Sequence, residues 1–251
     1  MTSAAAEHYE RLLAENYTWM LGGDLAPIVA GQDELLTELG IAPTRTSAIS
    51  VDLGCGPGNQ SLALAELGFT RVFAVDTSRL LLSELAEHAA ELPAIEPVHE
   101  DIRKVLPGLT SPGGVAAVVC MGDTLTHLPS KDDVTALLGD IAQALEPGGR
   151  LVVTYRDLTE TLHGIDRFIP VRSTDNRVLT CFLEYPDDDT VLVYDLLHVH
   201  DGTAWTQHVG SYAKLRIAPT WLADRCAEVG LVPERNEPGP AGLWVLVARK
   251  A

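Results

Sequence analysis

Three glycines at alternate positions, Gly54, Gly56 and Gly58, constrain the fold of this chain more than any other feature of its sequence. A mostly apolar run, residues 48–51, precedes them, and an amphipathic stretch with leucines among alanines follows. This order predicts a strand, a tight glycine turn and a helix. Glycine suits such a turn because it adopts backbone angles closed to other residues and lets a ligand approach the main chain. Free N–H groups at the start of the helix can hold a polar or anionic group, so the stretch is a candidate site for a nucleotide-like cofactor.

A dinucleotide-binding loop is one alternative for this stretch. Its fingerprint, Gly-x-Gly-x-x-Gly, opens a helix that cradles a pyrophosphate. Here the third glycine comes one position early, at Gly58, and Asn59 stands where the dinucleotide glycine would be. Asp52, two residues before the first glycine, is poorly placed for a diphosphate and well placed for an ammonium group. The glycine spacing therefore disfavours a dinucleotide-dependent oxidoreductase.

A second acidic residue, Asp76, ends the next strand-like run, residues 71–75. Together with the glycine loop it resembles the first two motifs of the class I S-adenosylmethionine-dependent methyltransferases. The resemblance covers about residues 45–156 and, in pattern only, the last 30 residues. It implies an α/β fold, a Rossmann-like, doubly wound and mostly parallel seven-stranded sheet, and S-adenosyl-L-methionine as the cofactor.

Each motif implies a part of the cofactor site within this resemblance. The glycine loop and Asp52 would hold the methionine end, and Asp76 would bind the ribose hydroxyls. Asp101 and the Ile102 backbone would meet the adenine, although a solvated loop carboxylate is an alternative for Asp101. The predicted cofactor-binding residues are Tyr17, Trp19, Asp52, Gly54, Cys55, Gly56, Gly58, Asn59, Asp76, Thr77, Asp101, Ile102, Met121, Gly122 and Asp123.

Composition limits the partners that this chain can have. Its 18 basic and 35 acidic residues give a net charge of −17, so it has few side chains for a phosphate backbone. Neither nucleic acid nor a membrane is an expected partner, and no apolar run approaches the roughly 20 residues of a membrane span. The four cysteines lie far apart without metal-ligand spacing. We expect a cytoplasmic protein without a metal site, as a monomer or homodimer.

The order of the predicted elements suggests four segments. Residues 1–44 form an N-terminal helical lid, although its aromatic side chains are equally consistent with core packing. Residues 45–170 form a Rossmann-like core, in which strands alternate with helices and so predict a parallel sheet. Residues 171–217 contain three strand-like runs joined by turn residues and predict an antiparallel β insertion on the substrate side. Residues 218–251 supply a helix and the last two strands of the core.

Five residues are candidates for acceptor chemistry. His127 follows the fourth strand and could be a general base, since histidine titrates near neutral pH, or it could pack against the next helix. Tyr155 and Arg156 end the fifth strand, while His198 and His200 lie in the insertion. We predict that these four line the acceptor pocket. The alternatives are a surface hairpin for the two histidines and a salt bridge for Arg156.

The turn after His200 decides how the histidines of the insertion are arranged. A three-residue turn with a bulge would place His198 and His208 on one face, whereas a two-residue turn would place them on opposite faces. The loop after the fourth strand lacks the Asn-Pro-Pro-Tyr sequence typical of methyltransferases for nucleic acids and protein amides. The sequence therefore predicts methyl transfer to a small-molecule N, O or C acceptor. A non-catalytic S-adenosylmethionine-binding protein and a protein side-chain methyltransferase are the further alternatives.

Overall fold

Two β-sheets organise the computed structural model, which describes residues 4–251. The strands are β1 (Ile49–Leu53), β2 (Arg71–Asp76), β3 (Ile95–His99), β4 (Val115–Cys120), β5 (Leu145–Tyr155), β6 (Phe168–Ser173), β7 (Arg177–Glu184), β8 (Thr190–His200), β9 (Trp205–Leu215), β10 (Leu231–Pro238) and β11 (Trp244–Lys250). The α-helices are α1 (Ala4–His8), α2 (Tyr17–Leu21), α3 (Leu25–Glu38), α4 (Asn59–Glu66), α5 (Arg79–His88), α6 (Ile102–Leu109), α7 (Lys131–Ala144) and α8 (Pro219–Glu228). Among the helices described, none is both long enough and apolar enough to cross a membrane.

The larger sheet has seven strands in the order β10-β11-β5-β4-β1-β2-β3. Strands β1 to β5 run parallel, and β11 lies antiparallel to both β5 and β10. The central strand β4 is buried along its whole length, as its continuous apolar sequence predicts for a strand covered on both faces. Helices α6, α7 and α8 pack on one face, and α3, α4 and α5 pack on the other. The predicted Rossmann-like, doubly wound sheet is confirmed.

The strand order reverses at β1, which lies between β2 and β4. Ligands of doubly wound sheets bind at the carboxyl ends of the strands beside such a reversal. Those ends here carry the glycine loop after Leu53, the carboxylate of Asp76 and the loop after Cys120. The fold therefore places the sequence motifs on one rim of the larger sheet.

The smaller sheet is antiparallel, in the order β6-β7-β8-β9. The sequence predicts three strands here, whereas the structure adds β6 and starts the sheet at Phe168, before the predicted boundary at residue 171. Pro170 and a bulge between Pro170 and Arg172 obscure this edge strand in the sequence. Both interrupt the regular alternation by which a strand is recognised.

The N-terminal segment is helical from Ala4 to Leu21, close to the prediction, but its hydrogen-bond pattern changes along the way. A π-helical turn (Tyr9–Leu13) and a 3₁₀ turn (Ala14–Asn16) connect α1 to α2. Its apolar side, including Leu13, packs on the smaller sheet. Helix α3 begins at Leu25, because Asp24 caps it and the first turn tolerates Pro27.

Candidate functional site

A cavity of about 400 Å³ lies at the carboxyl ends of the parallel strands. Gly54 and Gly56 contribute to it after β1, Asp76 after β2 and Gly122 after β4. The N-terminal segment covers the cavity from the other side through residues that include Tyr17. Its size is within the range of about 300–1,000 Å³ typical of small-molecule sites.

The geometry of the glycine loop explains why glycine occupies its three alternate positions. Gly54, Gly56 and Gly58 all have positive φ, at 79°, 54° and 102°. A Cβ on Gly54 would lie 2.3 Å from the Thr124 side chain, and one on Gly58 would lie 2.2 Å from that of Leu85. Gly56 meets only the Tyr17 ring, at 3.5 Å. The loop is therefore tightly packed at its two ends and leaves its main chain open to the cavity at Gly56.

Asp76 lies on the cavity wall and is held by the main chain. Its Oδ2 accepts a hydrogen bond from the Gly56 N–H at 2.9 Å, and its Oδ1 accepts one from the Ser78 N–H at 2.8 Å. Burial raises the pKa of Asp76, while these N–H groups act in the opposite direction. Each carboxylate oxygen keeps a second lone pair, so Asp76 can still accept hydrogen bonds from a ligand hydroxyl.

Asp52 is buried behind the glycine loop and does not form part of the cavity wall. Its Oδ2 accepts a hydrogen bond from the Ser61 hydroxyl at 2.6 Å, and its Oδ1 is buried without a partner. Burial raises the pKa of Asp52 to about 7, the Ser61 hydrogen bond lowers it, and the nearby Asp76 carboxylate raises it further. Asp52 therefore lies behind the glycine loop, and its contact with the methionine end of the cofactor stays a prediction.

The structure divides the predicted cofactor-binding residues into two groups. Those on the cavity wall are Tyr17, Gly54, Gly56, Asp76, Thr77, Asp101, Ile102 and Gly122. Those outside the wall are Trp19, Asp52, Cys55, Gly58, Asn59, Met121 and Asp123. The buried side chains of Cys55 and Met121 belong to the core under the sheet rather than to the rim, and Trp19 faces the smaller sheet, where it contacts Arg172 and Arg177.

Asp101 lies on the cavity wall and also begins a helix. It contributes to the cavity wall, and it also caps α6 by accepting a hydrogen bond from the Arg103 N–H at 3.0 Å. Burial would raise the pKa of Asp101, but the Arg103 side chain outweighs this effect and lowers it. Asp101 is therefore ionised, and one of its carboxylate oxygens already accepts a hydrogen bond from its own helix.

His127 lies among aromatic side chains at the edge of the cavity. It lies on the cavity wall, and its ring packs against Tyr9 and Tyr212 with centroid distances of 5.3 Å and 5.4 Å. Its Nε2 is buried without a hydrogen-bond partner. Burial lowers the pKa of His127 to about 3, and the Lys214 ammonium lowers it further. The imidazole is therefore neutral at physiological pH.

Asp123, which was predicted to bind the cofactor, instead connects three elements. It has a positive φ of 81°, its Oδ2 pairs with the Lys214 ammonium at 2.5 Å, and its Oδ1 accepts hydrogen bonds from the Arg156 N–H and the Thr126 hydroxyl. Burial would raise the pKa of Asp123, but the Lys214 ammonium lowers it. The buried ion pair thus fixes the loop after β4 to β9.

Four of the five acceptor candidates are not on this cavity, which corrects their predicted grouping. Tyr155 is fully buried in the core of the larger sheet. Arg156 is exposed, and its backbone N–H rather than its side chain reaches the loop after β4. His198 and His200 lie on the outer face of the smaller sheet, away from the N-terminal segment.

The register of β8 and β9 explains the position of these histidines. A four-residue connection, residues 201–204, pairs His198 with Gln207 and Leu197 with His208. Leu197 is buried on the inner face, so His198 points to the outer face and His208 lies on the opposite face from it. Within residues 4–251, no group of three or more His, Cys, Asp or Glu side chains is arranged to hold a metal ion.

One buried contact beside the cavity was not predicted from the sequence. His8 Nε2 lies 2.8 Å from Asp195 Oδ2, and the side chains of this pair are only 1% and 2% exposed. The His8 ring packs 4.7 Å from that of Tyr212 and fills the space that a Cβ on Gly210 would need. Because the pair is separated by 187 residues, no local pattern could reveal it.

A second set of contacts joins the N-terminal segment to the larger sheet. Glu10 accepts a hydrogen bond from the Ser78 hydroxyl at 2.6 Å, and Thr18 donates one to Glu84. The segment therefore bridges α5 and the smaller sheet above the cavity. Tyr9 and Tyr17 form part of the cavity wall, and Tyr9 also packs against the apolar cluster that contains Leu13.

A doubly wound sheet with a glycine loop after its first strand and a carboxylate after its second defines a cofactor-binding domain of the Rossmann-like class. Residues 51–149 match the family model of the methyltransferase domain. This part of the chain, which includes the glycine loop and Asp76, is therefore similar to a methyltransferase domain.

Individual proteins agree with this assignment. The chain is 33% identical over 149 residues to the cypemycin N-terminal methyltransferase of a Streptomyces species, an alignment that spans 53% of this chain and 58% of that relative. The solved structure of the CcbJ methyltransferase from Streptomyces caelestis superposes with a TM-score of 0.73 at 22% identity, covering 88% of this chain and 89% of that one. An amino pentose methyltransferase from Micromonospora echinaspora gives 0.69 at 17% identity, covering 94% and 96%. These two structures share the fold of this chain over most of its length.

Proposed function

We propose that the protein transfers the methyl group of S-adenosyl-L-methionine to the nitrogen of a small-molecule amine. One observation carries the proposal: a single cavity has the glycine loop and Asp76 on one part of its wall, and Tyr9 and His127 on another. The first part suits a nucleoside with an amino acid attached, and the second suits a small polar acceptor.

The residues present fit the cofactor. Gly56 leaves the main chain open where a ligand must approach it, and Asp76 keeps lone pairs for ribose hydroxyls. The unpartnered Oδ1 of Asp52 can accept a hydrogen bond from behind the loop, directly from an ammonium group or through a water. When bound, S-adenosyl-L-methionine supplies a methyl group attached to a positively charged sulfur.

His127 is suited to orient an amine rather than to act as a general base. A neutral imidazole with a pKa of about 3 is a weak base, but its Nε2 can accept a hydrogen bond from an amine N–H. Such a bond would hold the nitrogen lone pair in one direction, and alignment of this kind is a large part of catalysis by methyl transfer. Hydroxyl and carbon acceptors benefit more from a strong base, so the site favours nitrogen.

The names of two similar proteins support an amine acceptor. One is an N-terminal methyltransferase, and the other is an amino pentose methyltransferase. The match of residues 51–149 to a methyltransferase domain disfavours a dinucleotide-dependent oxidoreductase. We further propose a cytoplasmic location, consistent with four free thiols, no nucleic-acid partner, consistent with the charge of −17, and a monomer or homodimer, which analytical ultracentrifugation would distinguish.

Calorimetry and a methyl-transfer assay test the proposal together. S-adenosylhomocysteine should bind at micromolar concentration, and NAD should not bind measurably. A panel of small amines, each paired with the alcohol of the same skeleton, should show methylation of amines by mass spectrometry. Tighter binding of NAD, or equal transfer to the alcohols, would contradict the proposal.

Substitutions of histidines on and off the cavity wall test the role of His127. His127→Ala should lower turnover of the amine by about tenfold, less than the roughly 100-fold or greater loss expected for a group that transfers a proton or stabilises a transition-state charge. Affinity for S-adenosylhomocysteine should stay close to that of the wild type. His198→Asn and His200→Asn on the outer face should keep turnover. A loss of turnover in these two variants would restore the acceptor site that the sequence predicted.

A further inference from the structure

Arg172 and Arg177 are two cationic side chains of the smaller sheet that have no acidic partner. Within residues 4–251, no carboxylate lies within ion-pair distance of either guanidinium. Arg172 donates a hydrogen bond to the Gly22 carbonyl at 3.0 Å, and Arg177 donates one to Asn16 Oδ1 at 3.1 Å. Both partners are neutral, although the chain has 35 acidic residues.

Strand register places these two arginines on the same face. Arg172 of β6 pairs with Leu179 of β7, and Arg177 precedes Leu179 by two residues on the same strand. Residues two apart on a strand share a face, and Leu179 is buried. The two arginines are therefore diagonal neighbours, at the roughly 7–8 Å usual for such pairs.

The guanidinium groups of both arginines lie over the ring of Trp19, in α2. The Cζ atoms of Arg172 and Arg177 lie 5.7 Å and 5.8 Å from the centre of its ring. Attraction to the ring explains this proximity, but it leaves two donors unused. Trp19 Nε1 and Arg172 Nε are both buried without an acceptor. Buried donors of this kind are rare and point to a missing partner such as an ion.

We propose that Arg172, Arg177 and the Trp19 indole N–H bind an oxyanion, a phosphate or carboxylate group, between α2 and the hairpin of β6 and β7. An oxyanion would accept from the two unused donors and neutralise two like charges. Arginine is suited to this task because its planar fork matches the oxygens of phosphate and carboxylate. The inference does not depend on the proposed methyl transfer.

Helix α2 connects the proposed anion site to the cavity. Helix α2 carries Trp19 at the anion site and Tyr17 on the cavity wall. An anion bound to Trp19 and the two arginines would hold α2 against the smaller sheet, and so would hold Tyr17 in the wall. The oxyanion can come from free inorganic phosphate or from a phosphorylated small molecule, which offer the same oxygens to the arginines.

Thermal unfolding of the full chain in inorganic phosphate, at ionic strength held constant with potassium chloride, tests the site. Phosphate should raise the Tm of the wild type, because a ligand that binds only the folded state stabilises it. Arg172→Met and Arg177→Met should abolish this dependence. Trp19→Phe keeps an aromatic ring and removes the N–H. It should lower the apparent affinity for phosphate, read from the rise in Tm, about tenfold. Arg167→Met is the matched control, because Arg167 stacks on Phe182 of the same sheet outside the proposed site, and it should respond as the wild type does.

Two results would overturn the proposal: no phosphate-dependent rise in the wild type, or an equal rise in the wild type and both arginine variants. If Arg172→Met does not fold, Arg172→Lys keeps the charge without the Nε donor and should show a weakened response. Glucose 1-phosphate identifies the source of the anion. Binding tighter than that of inorganic phosphate indicates a phosphorylated small molecule, and equal binding indicates the free anion.

Discussion

The two sheets of this molecule are buried in different ways. Helices from neighbouring parts of the sequence cover both faces of the larger sheet. The smaller sheet is covered on its inner face by the N-terminal segment, whereas exposed apolar side chains, including Phe168, Trp205 and Val209, lie on its other face. The cofactor side of the cavity therefore depends on local motifs, and the Tyr9 and His127 side depends on contacts between distant segments.

The largest effect is expected where the distant contact is broken. His8→Ala would leave the Asp195 carboxylate buried without its cationic or N–H partner. Loss of one member of a buried pair costs about 3–5 kcal/mol. Native-state hydrogen exchange should show this loss as easier opening of residues 4–21, with protection of the larger sheet unchanged.

His163→Ala is the matched control for this experiment, because His163 is exposed and lies outside the contacts of the N-terminal segment. It should leave the protection of residues 4–21 unchanged. Unchanged protection of residues 4–21 in His8→Ala would show that the buried pair does not hold the N-terminal segment.

A change in the glycine loop should weaken ligand binding and leave the N-terminal segment unaffected. Gly54→Ala would place a Cβ 2.3 Å from Thr124 at a φ of 79°. Strain and overpacking together cost about 2–4 kcal/mol, so calorimetry should show loss of S-adenosylhomocysteine binding by roughly 100-fold while residues 4–21 keep their protection. Gly139→Ala, in α7 with nothing within 4 Å, should bind as the wild type does. Equal binding by both variants would contradict the assigned loop.

Removal of a single carboxylate from the cavity wall should have a smaller effect. Asp76→Ala removes the acceptor of the Gly56 and Ser78 N–H groups and the proposed acceptor of the ribose hydroxyls. Unpaired buried groups cost about 1–3 kcal/mol, which corresponds to a loss of S-adenosylhomocysteine affinity of about 5- to 150-fold. The exposed Asp175→Ala should show no change in the same titration. An affinity for Asp76→Ala equal to that of the wild type would remove Asp76 from the cofactor site.

The smallest effect is a dependence of stability on pH. The pKa of Asp52 is raised from an ordinary value near 4 to about 7 by burial. The stabilising contribution of the protonated carboxyl is thus fully present below about pH 4 and is lost as the pH rises to 7. Relative to the wild type without ligand, Asp52→Asn should gain about 1 kcal/mol between pH 6 and pH 8 in urea unfolding. Asp175→Asn should show no such gain, and a constant difference for Asp52→Asn would contradict the raised pKa.

Sequence patterns predicted the larger sheet well because its order is local. The run from β1 through the glycine loop to α4 is continuous in sequence, and Asp76 follows at the end of the next strand. Each element could be recognised from its own periodicity and its own turn residues. The predicted positions of Gly56, Asp76 and Asp101 on the wall depended on nothing further away.

The other side of the cavity could not be predicted in the same way. His198 and His200 share a strand with the buried Asp195, and a one-residue change of register exchanges the faces of all three. Tyr155 differs from an accessible strand end only by what packs over it. Lys214, paired with Asp123 across 91 residues, belongs to an alternating strand that gives no sign of its partner. These positions are set by tertiary packing, which a single sequence does not display.

The pair formed by His8 and Asp195 also determines when the N-terminal segment can fold during synthesis. After His8 the ribosome adds 187 residues to reach Asp195, which takes roughly 10–40 s at about 5–20 residues per second. Throughout that interval the apolar side chains of this segment, such as Leu13, have no sheet to cover. In the emerging chain, the apolar side of the N-terminal segment therefore stays exposed until the strand that carries Asp195 has left the exit tunnel. During this time the segment is available to chaperones.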